Sequence, residues 1–178
     1  MPRHIALLRG VNLGPSRRVA MGELRELLAA HGHADVRTHL QSGNVLLTSD
    51  LAPDELAREL ERQIGEGLGL DVEVVVRTRE QLADVVARNP LAEVVDDPRR
   101  LQVSFLSAEL DPRTAQEVAA TAVGPERCVV SGREIYAWHP NGIRDSALAR
   151  QLADRRLGVT ATARNWNTVT KLLELAGD

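Results

Sequence analysis

The stretch VRTHLQSGNVLLT, residues 36–48, fixes how the chain can fold. Val36 to Gln41 and Val45 to Thr48 are strand-like runs, and Ser42-Gly43-Asn44 between them is a turn signal, so the stretch reads as a β-hairpin. Upstream, Ile5 and Leu7 lie in a short apolar run ended by Gly10, a buried strand, and Met21, Leu24, Leu27 and Leu28 recur at helical spacing before a left-handed cap at Gly32. Downstream, Pro53 opens a helix with Asp54 and Glu55 at the positive end of its dipole. Val72, Val74 and Val76 alternate as a strand, and Thr78 with Gln81 forms a capping box ahead of a helix that Pro90 stops.

The same order recurs in the second half. Leu101, Val103 and Phe105 alternate as a strand, and Asp111-Pro112 opens a helix. Cys128 to Val130 and Ile135 to Trp138 bracket Ser131-Gly132, the same Ser-Gly pair as in the first hairpin. Asp145 or Ser146 caps a helix through Leu148 and Leu152, Val159 to Ala163 is a short strand, and Trp166, Val169, Leu173 and Ala176 form a last helical stripe. The expected fold is α+β, a tandem duplication of ferredoxin-like βαββαβ units, each followed by an extra helix. The expected halves are residues 1–89 and 101–178, with a linker at 90–100 rich in proline and charge.

Composition narrows the function. Hydrophobic residues make up 43% and charged residues 26%, the balance of a globular chain with a core of its own. Aromatics are only 2%, which disfavours base-stacking platforms, and a net charge of -3 argues against a globally basic nucleic-acid binder. A single cysteine, Cys128, excludes an internal disulfide and a Cys-rich metal site. The apolar run near the N-terminus is too short for a signal-peptide core, and no segment approaches the ~20 apolar residues of a membrane helix. A cytoplasmic location is therefore expected. No cofactor and no metal site are expected, since His31 and His33 supply too few ligands.

Two end motifs carry a resemblance. Leu8-Arg9-Gly10-Val11-Asn12-Leu13-Gly14, continuing through Met21 and Leu24 to Arg37-Thr38-His39-Leu40-Gln41-Ser42-Gly43-Asn44-Val45, resembles the start of the family catalogued as domain of unknown function 1697. Arg164-Asn165-Trp166-Asn167-Thr168-Val169-Thr170-Lys171-Leu172-Leu173 resembles that family's ending. The resemblance implies a small, mostly bacterial protein of two related halves, with no established activity, cofactor or substrate. His39 stands where the family pattern has a tyrosine, which argues against a catalytic phenol at that position.

Three places offer candidate ligand-binding residues. The first is the connection from Gly10 to Ala20, longer than the about 2 to 6 residues such links need. There Gly10 and Gly14 allow close backbone approach, Asn12 offers an amide, and Arg9 and Arg17, with Arg18, suit a carboxylate or phosphate. The spacing matches neither the P-loop nor the dinucleotide fingerprint, so the alternative is a long turn with solvated arginines. The second place is the strand face of Arg37 and His39, extended to Gln41, beside Asn44 at the turn. The third is the closing motif, with Arg164, Asn165, Asn167 and Lys171; Lys171 is the one lysine among 22 lysines and arginines. There a simple capped helix with Trp166 in the core is the competing reading. Together these residues point to a polar groove for an anionic small molecule or, less well supported, a nucleic-acid backbone. The alternatives are an enzyme for a phosphorylated or carboxylated metabolite, with His39 as acid or base, and a protein-assembly module using a sheet edge. Catalytic residues and oligomeric state are not specified by the sequence.

Overall fold

The hairpin forms as β2 (Ala34–His39) and β3 (Asn44–Thr48), with His39 opposite Asn44 across the loop Leu40–Gly43. Gly43 has φ +87°, and a Cβ there would sit 2.8 Å from both Leu8 Cβ and Val11 Cγ2, so the turn needs glycine for conformation and for space. Asn44 is fully buried, and its amide donates to His39 O (2.8 Å) and Ser42 Oγ (3.1 Å), closing the turn from inside. The computed structural model describes residues 1–154 and 156–177.

Around this hairpin the first sheet assembles in the order β2-β3-β1-β4, all antiparallel, from β1 (Arg3–Leu8) and β4 (Val74–Thr78). Helices α1 (Met21–Ala30) and α2 (Pro53–Leu68) cover one face of it. Alternate residues point that way: Ala6 and Leu8, Val45 and Leu47, Val74 and Val76 pack with Met21, Leu24, Leu28, Leu56, Leu60 and Ile64. Pro53 starts α2 as expected, and the Ala52 N–H donates to Glu55 Oε2 (3.4 Å). The capping box also forms ahead of α3 (Arg79–Ala87), with Thr78 N–H on Gln81 Oε1 (2.9 Å) and Gln81 N–H on Thr78 Oγ1 (3.1 Å).

The edge strand β2 is not regular. Ala34 pairs with Thr48 but Arg37 with Leu46, so β2 spends one more residue than β3 over this interval, and Asp35 takes φ +51°. This bulge turns Val36 toward the helix-covered core and brings Arg37 to the opposite face. Ile5, Leu7, Leu46 and Val75 on that opposite face are buried as well.

The second sheet has the order β6-β7-β5-β8, again antiparallel, from β5 (Leu101–Leu106), β6 (Arg127–Ser131), β7 (Glu134–Trp138) and β8 (Ala161–Asn165). Leu106, Ile135, Cys128, Val130 and Ala161 pack with Val118 and Ala115 of α4 (Pro112–Ala119) and Leu152 of α5 (Ala147–Asp154). Asp111 caps α4 and Ser146, not Asp145, caps α5 through the Ala149 N–H (3.0 Å). The repeated Ser-Gly pair does not occupy equivalent places. Ser42-Gly43 closes a longer loop just before β3, whereas Ser131 ends β6, pairs with Glu134 and leaves Gly132 to begin a two-residue turn at φ +58°.

The chain is thus α+β, with two four-stranded antiparallel sheets and six α-helices among the described residues. It divides into two packing units, residues 1–83 with the end of the last helix, α6 (Trp166–Ala176), and residues 84–171. The segment before β5 carries a 3-10 turn, Pro98–Arg100, capped by Asp97, whose carboxylate also pairs with Arg99 (2.9 Å). On α6 the buried line is Val169, Leu172 and Ala176. Trp166, expected in the core, is only half-buried because it is the first residue of the helix and lies at its end.

Candidate functional site

The loop after β1 is held by one side chain. Asn12, at φ +56°, donates both amide hydrogens, to Val19 O (3.0 Å) and Gln41 O (2.6 Å), and its Oδ1 accepts from the Val19 N–H (2.9 Å). Its backbone N–H reaches Arg17 O (3.0 Å). Asn12 therefore ties the loop to itself and to the hairpin turn. Arg17 is exposed, yet its guanidinium donates to Gly10 O (3.1 Å) and Asp71 O (2.8 Å), with its own backbone at φ +59°. Arg9 extends past the end of β1 and pairs with Glu73 (3.1 Å), both side chains about half exposed.

These residues border an open recess of about 330 Å³ lined by Arg9, Gly10, Arg17, Asp71 and Glu73. Gly10 takes φ +70° there, while Gly14 lies out in the loop with no atom within 4 Å of where a Cβ would stand. Leu40, at the hairpin turn that Asn12 grips, is also left-handed at φ +62° and is exposed. Asn12, Arg17 and Leu40 are three of the four non-glycine residues with positive φ among the described residues, and all three belong to this loop and turn. Backbone strain of this kind costs of order 1–3 kcal/mol per residue and clusters where function requires it.

Arg37 and His39 share the non-helix face of β2, Arg37 exposed and His39 half-buried. Gln41 does not continue that face, because β2 ends at His39 and the chain turns. In the second unit Arg164 is buried on β8, donates to Thr162 Oγ1 (2.7 Å) and Ala163 O (2.8 Å), and has its pKa pulled down to about 10 by burial. Asn165 is the cap of α6, accepting from the Thr168 N–H (2.9 Å). Asn167 is exposed on the first turn of that helix and Lys171 is half-buried one turn later.

A family model described as a protein of unknown function, DUF1697, matches residues 1–136. The chain belongs to this family. The match takes in the opening loop, the hairpin and the recess, while the Arg164–Lys171 motif lies beyond it. No curated protein matches the chain. Among solved structures, a conserved bacterial protein from Streptococcus pneumoniae is 22% identical, covers 98% of each chain and superposes with a TM-score of 0.82, so the two share a fold over the whole length.

One polar cluster escaped the sequence reading. His139, fully buried at the end of β7, has Nδ1 2.7 Å from Ser146 Oγ, and that hydroxyl donates to Glu126 Oε1 (2.9 Å). Since the one hydroxyl proton goes to the carboxylate, Nδ1 carries the imidazole proton and Nε2 is left without a partner among the described residues. Burial holds its pKa below the usual histidine range, against the pull of Glu126. The signal was invisible because the three residues stand in separate segments with no shared spacing. His139 Nε2 is shut from solvent and Ser146 is buried, so the cluster is a buried polar joint and not a nucleophile and base open to substrate.

Proposed function

We propose that the protein binds a small anionic metabolite at the recess beside the opening loop. The observation that carries this reading is the lining itself: Arg9 beside Glu73 and Arg17 beside Asp71, around a space of about 330 Å³. Guanidinium groups recognise a carboxylate or phosphate, and the carboxylates accept from hydroxyl or amino groups on the same ligand. The Arg9–Glu73 pair is half solvated, so it contributes at most about 1 kcal/mol and an incoming anion can exchange for Glu73. Acidic lining and a net charge of -3 make a nucleic-acid backbone a poorer occupant than a small polar molecule. The strained loop and turn, pinned by Asn12, supply preorganisation.

On the same reading the chain is two copies of a ferredoxin-like βαββαβ unit, each followed by a helix. The supporting observation is that β2-β3-β1-β4 and β6-β7-β5-β8 place corresponding strands in corresponding positions. Only the first copy carries the long loop, which gives the duplicated halves different tasks.

A melting-temperature screen with phosphorylated sugars, nucleotides and hydroxy or amino dicarboxylates tests the assignment. A ligand that stabilises the wild type is expected to bind more weakly to Arg9→Ala and more tightly to Glu73→Gln, in which Arg9 is released from its ion pair. A ligand response indifferent to both substitutions, or no response across the screen, rejects the recess as the site.

A further inference from the structure

We infer that the face of the first sheet opposite its helices carries a second anion site, built from Arg3 and Arg37 and shaped for a phosphate group. Arg3 donates from Nη1 to Asp35 O (3.2 Å), which fixes the guanidinium. Its Nε and Nη2 are shut from solvent and have no hydrogen-bond partner among the described residues. Those two N–H groups form one edge of the guanidinium, the parallel pair that grips two oxygens of a carboxylate or phosphate. Buried donors left unpaired are rare and costly, and an oxyanion on that edge would satisfy both at once.

Strand register brings the second charge. Arg3 pairs with Thr48 and Arg37 with Leu46, and Thr48 and Leu46 are two apart on β3, so both arginines stand on one face of the sheet, on the two strands that flank β3. The extra residue of the β2 bulge is what makes this so: with regular pairing, Val36 would occupy the place of Arg37. Asp35 at the bulge also supplies the carbonyl that anchors Arg3. Burial first, and then repulsion from the Arg37 guanidinium, make Arg3 lose its proton more readily than an ordinary arginine, with the Asp35 carboxylate only partly offsetting this. One carboxylate would match one arginine; a phosphate dianion matches both charges and fills the two-donor edge. The recess at Arg9 is a separate place, because Arg3 and Arg9 mark opposite ends of β1, about 20 Å apart at ~3.3 Å per residue.

Inorganic phosphate titrated into the full-length protein at constant ionic strength, against chloride and acetate, tests the inference by melting temperature and by the arginine Nε–H signals in ¹⁵N NMR. Phosphate is expected to raise the melting temperature more than acetate or chloride and to move the Arg3 Nε–H resonance. Arg37→Gln, a change at an exposed side chain, and Arg3→Lys, which keeps the charge but removes the edge, are each expected to weaken phosphate roughly tenfold. Arg9→Ala should leave that affinity unchanged. An absent phosphate response, one equal in wild type and Arg37→Gln, or one lost only in Arg9→Ala overturns the Arg3–Arg37 site; the last result alone would credit the recess instead.

Discussion

At Gly43 one hydrogen atom separates a good turn from a collision. Replacing it with alanine puts a methyl group against Leu8 and Val11 in a left-handed backbone, and the expected loss is about 2 kcal/mol or more in chemical denaturation. Asn12→Ala should cost about 1–3 kcal/mol, since the Val19 N–H loses its acceptor and two carbonyls lose donors. Hydrogen exchange at Val19 should rise in step, and an unchanged rate would mean the side chain is not what holds the loop. Cys128, a half-buried strand residue, has its thiol pushed up to about 11 by burial, so a disulfide reagent at pH 8 should label it slowly in the folded protein and quickly after unfolding. Rapid labelling of native protein would contradict the packing of β6 against α4. Sequence reading named Asn12 and Arg17 as possible ligand donors. It could not show that they hold the loop, because their partners, Gln41 and Asp71, are remote in the chain.

Caps and turns were the most legible level, because each is written in a few adjacent residues. Pro53 at the head of α2, Asp111 before α4 and the Thr78–Gln81 box all appear where local chemistry puts them. Thr78→Ala should cost about 1 kcal/mol through the exposed start of α3, read as a lower denaturation midpoint with an unchanged slope. The strands were legible from alternation, but two features were not. The bulge at Asp35 shifts Arg37 to another face with no glycine or proline to announce it. Ser42-Gly43 and Ser131-Gly132 look alike yet sit differently in their hairpins, since a two-letter match does not fix loop length. Trp166 shows the same limit, because helical periodicity gives a face but not how far a helix end reaches into the core.

Across the molecule, each unit holds one buried neutral histidine. His4 on β1 gives its Nδ1 hydrogen to Pro2 O (3.1 Å), and His139 on the second sheet gives its own to Ser146. Burial lowers both pKa values, against smaller opposing pulls from the Pro2 carbonyl and Glu80 on His4 and from Glu126 on His139. The folded state therefore takes up fewer protons than the unfolded chain as acid is added. The stabilisation is complete above the unfolded histidine value of about 6.5 and is lost as pH falls below it toward the folded values. Melting temperature should drop between about pH 6.5 and pH 5, and His139→Asn, which keeps a donor for Ser146 but does not titrate, should flatten part of that drop. An identical pH profile in that variant would remove His139 from the account.

The irregular stretch of β2 bears on solubility as well. A straight outer strand is a template on which another chain can grow, and fibrils begin that way. Asp35 kinks this margin and Arg37 keeps it charged. Deleting Asp35 would keep Arg37 opposite Leu46 but take out the bulge, and it would leave the rim flat enough to recruit its own copies, visible as turbidity and dye binding at concentrations where the intact protein stays clear.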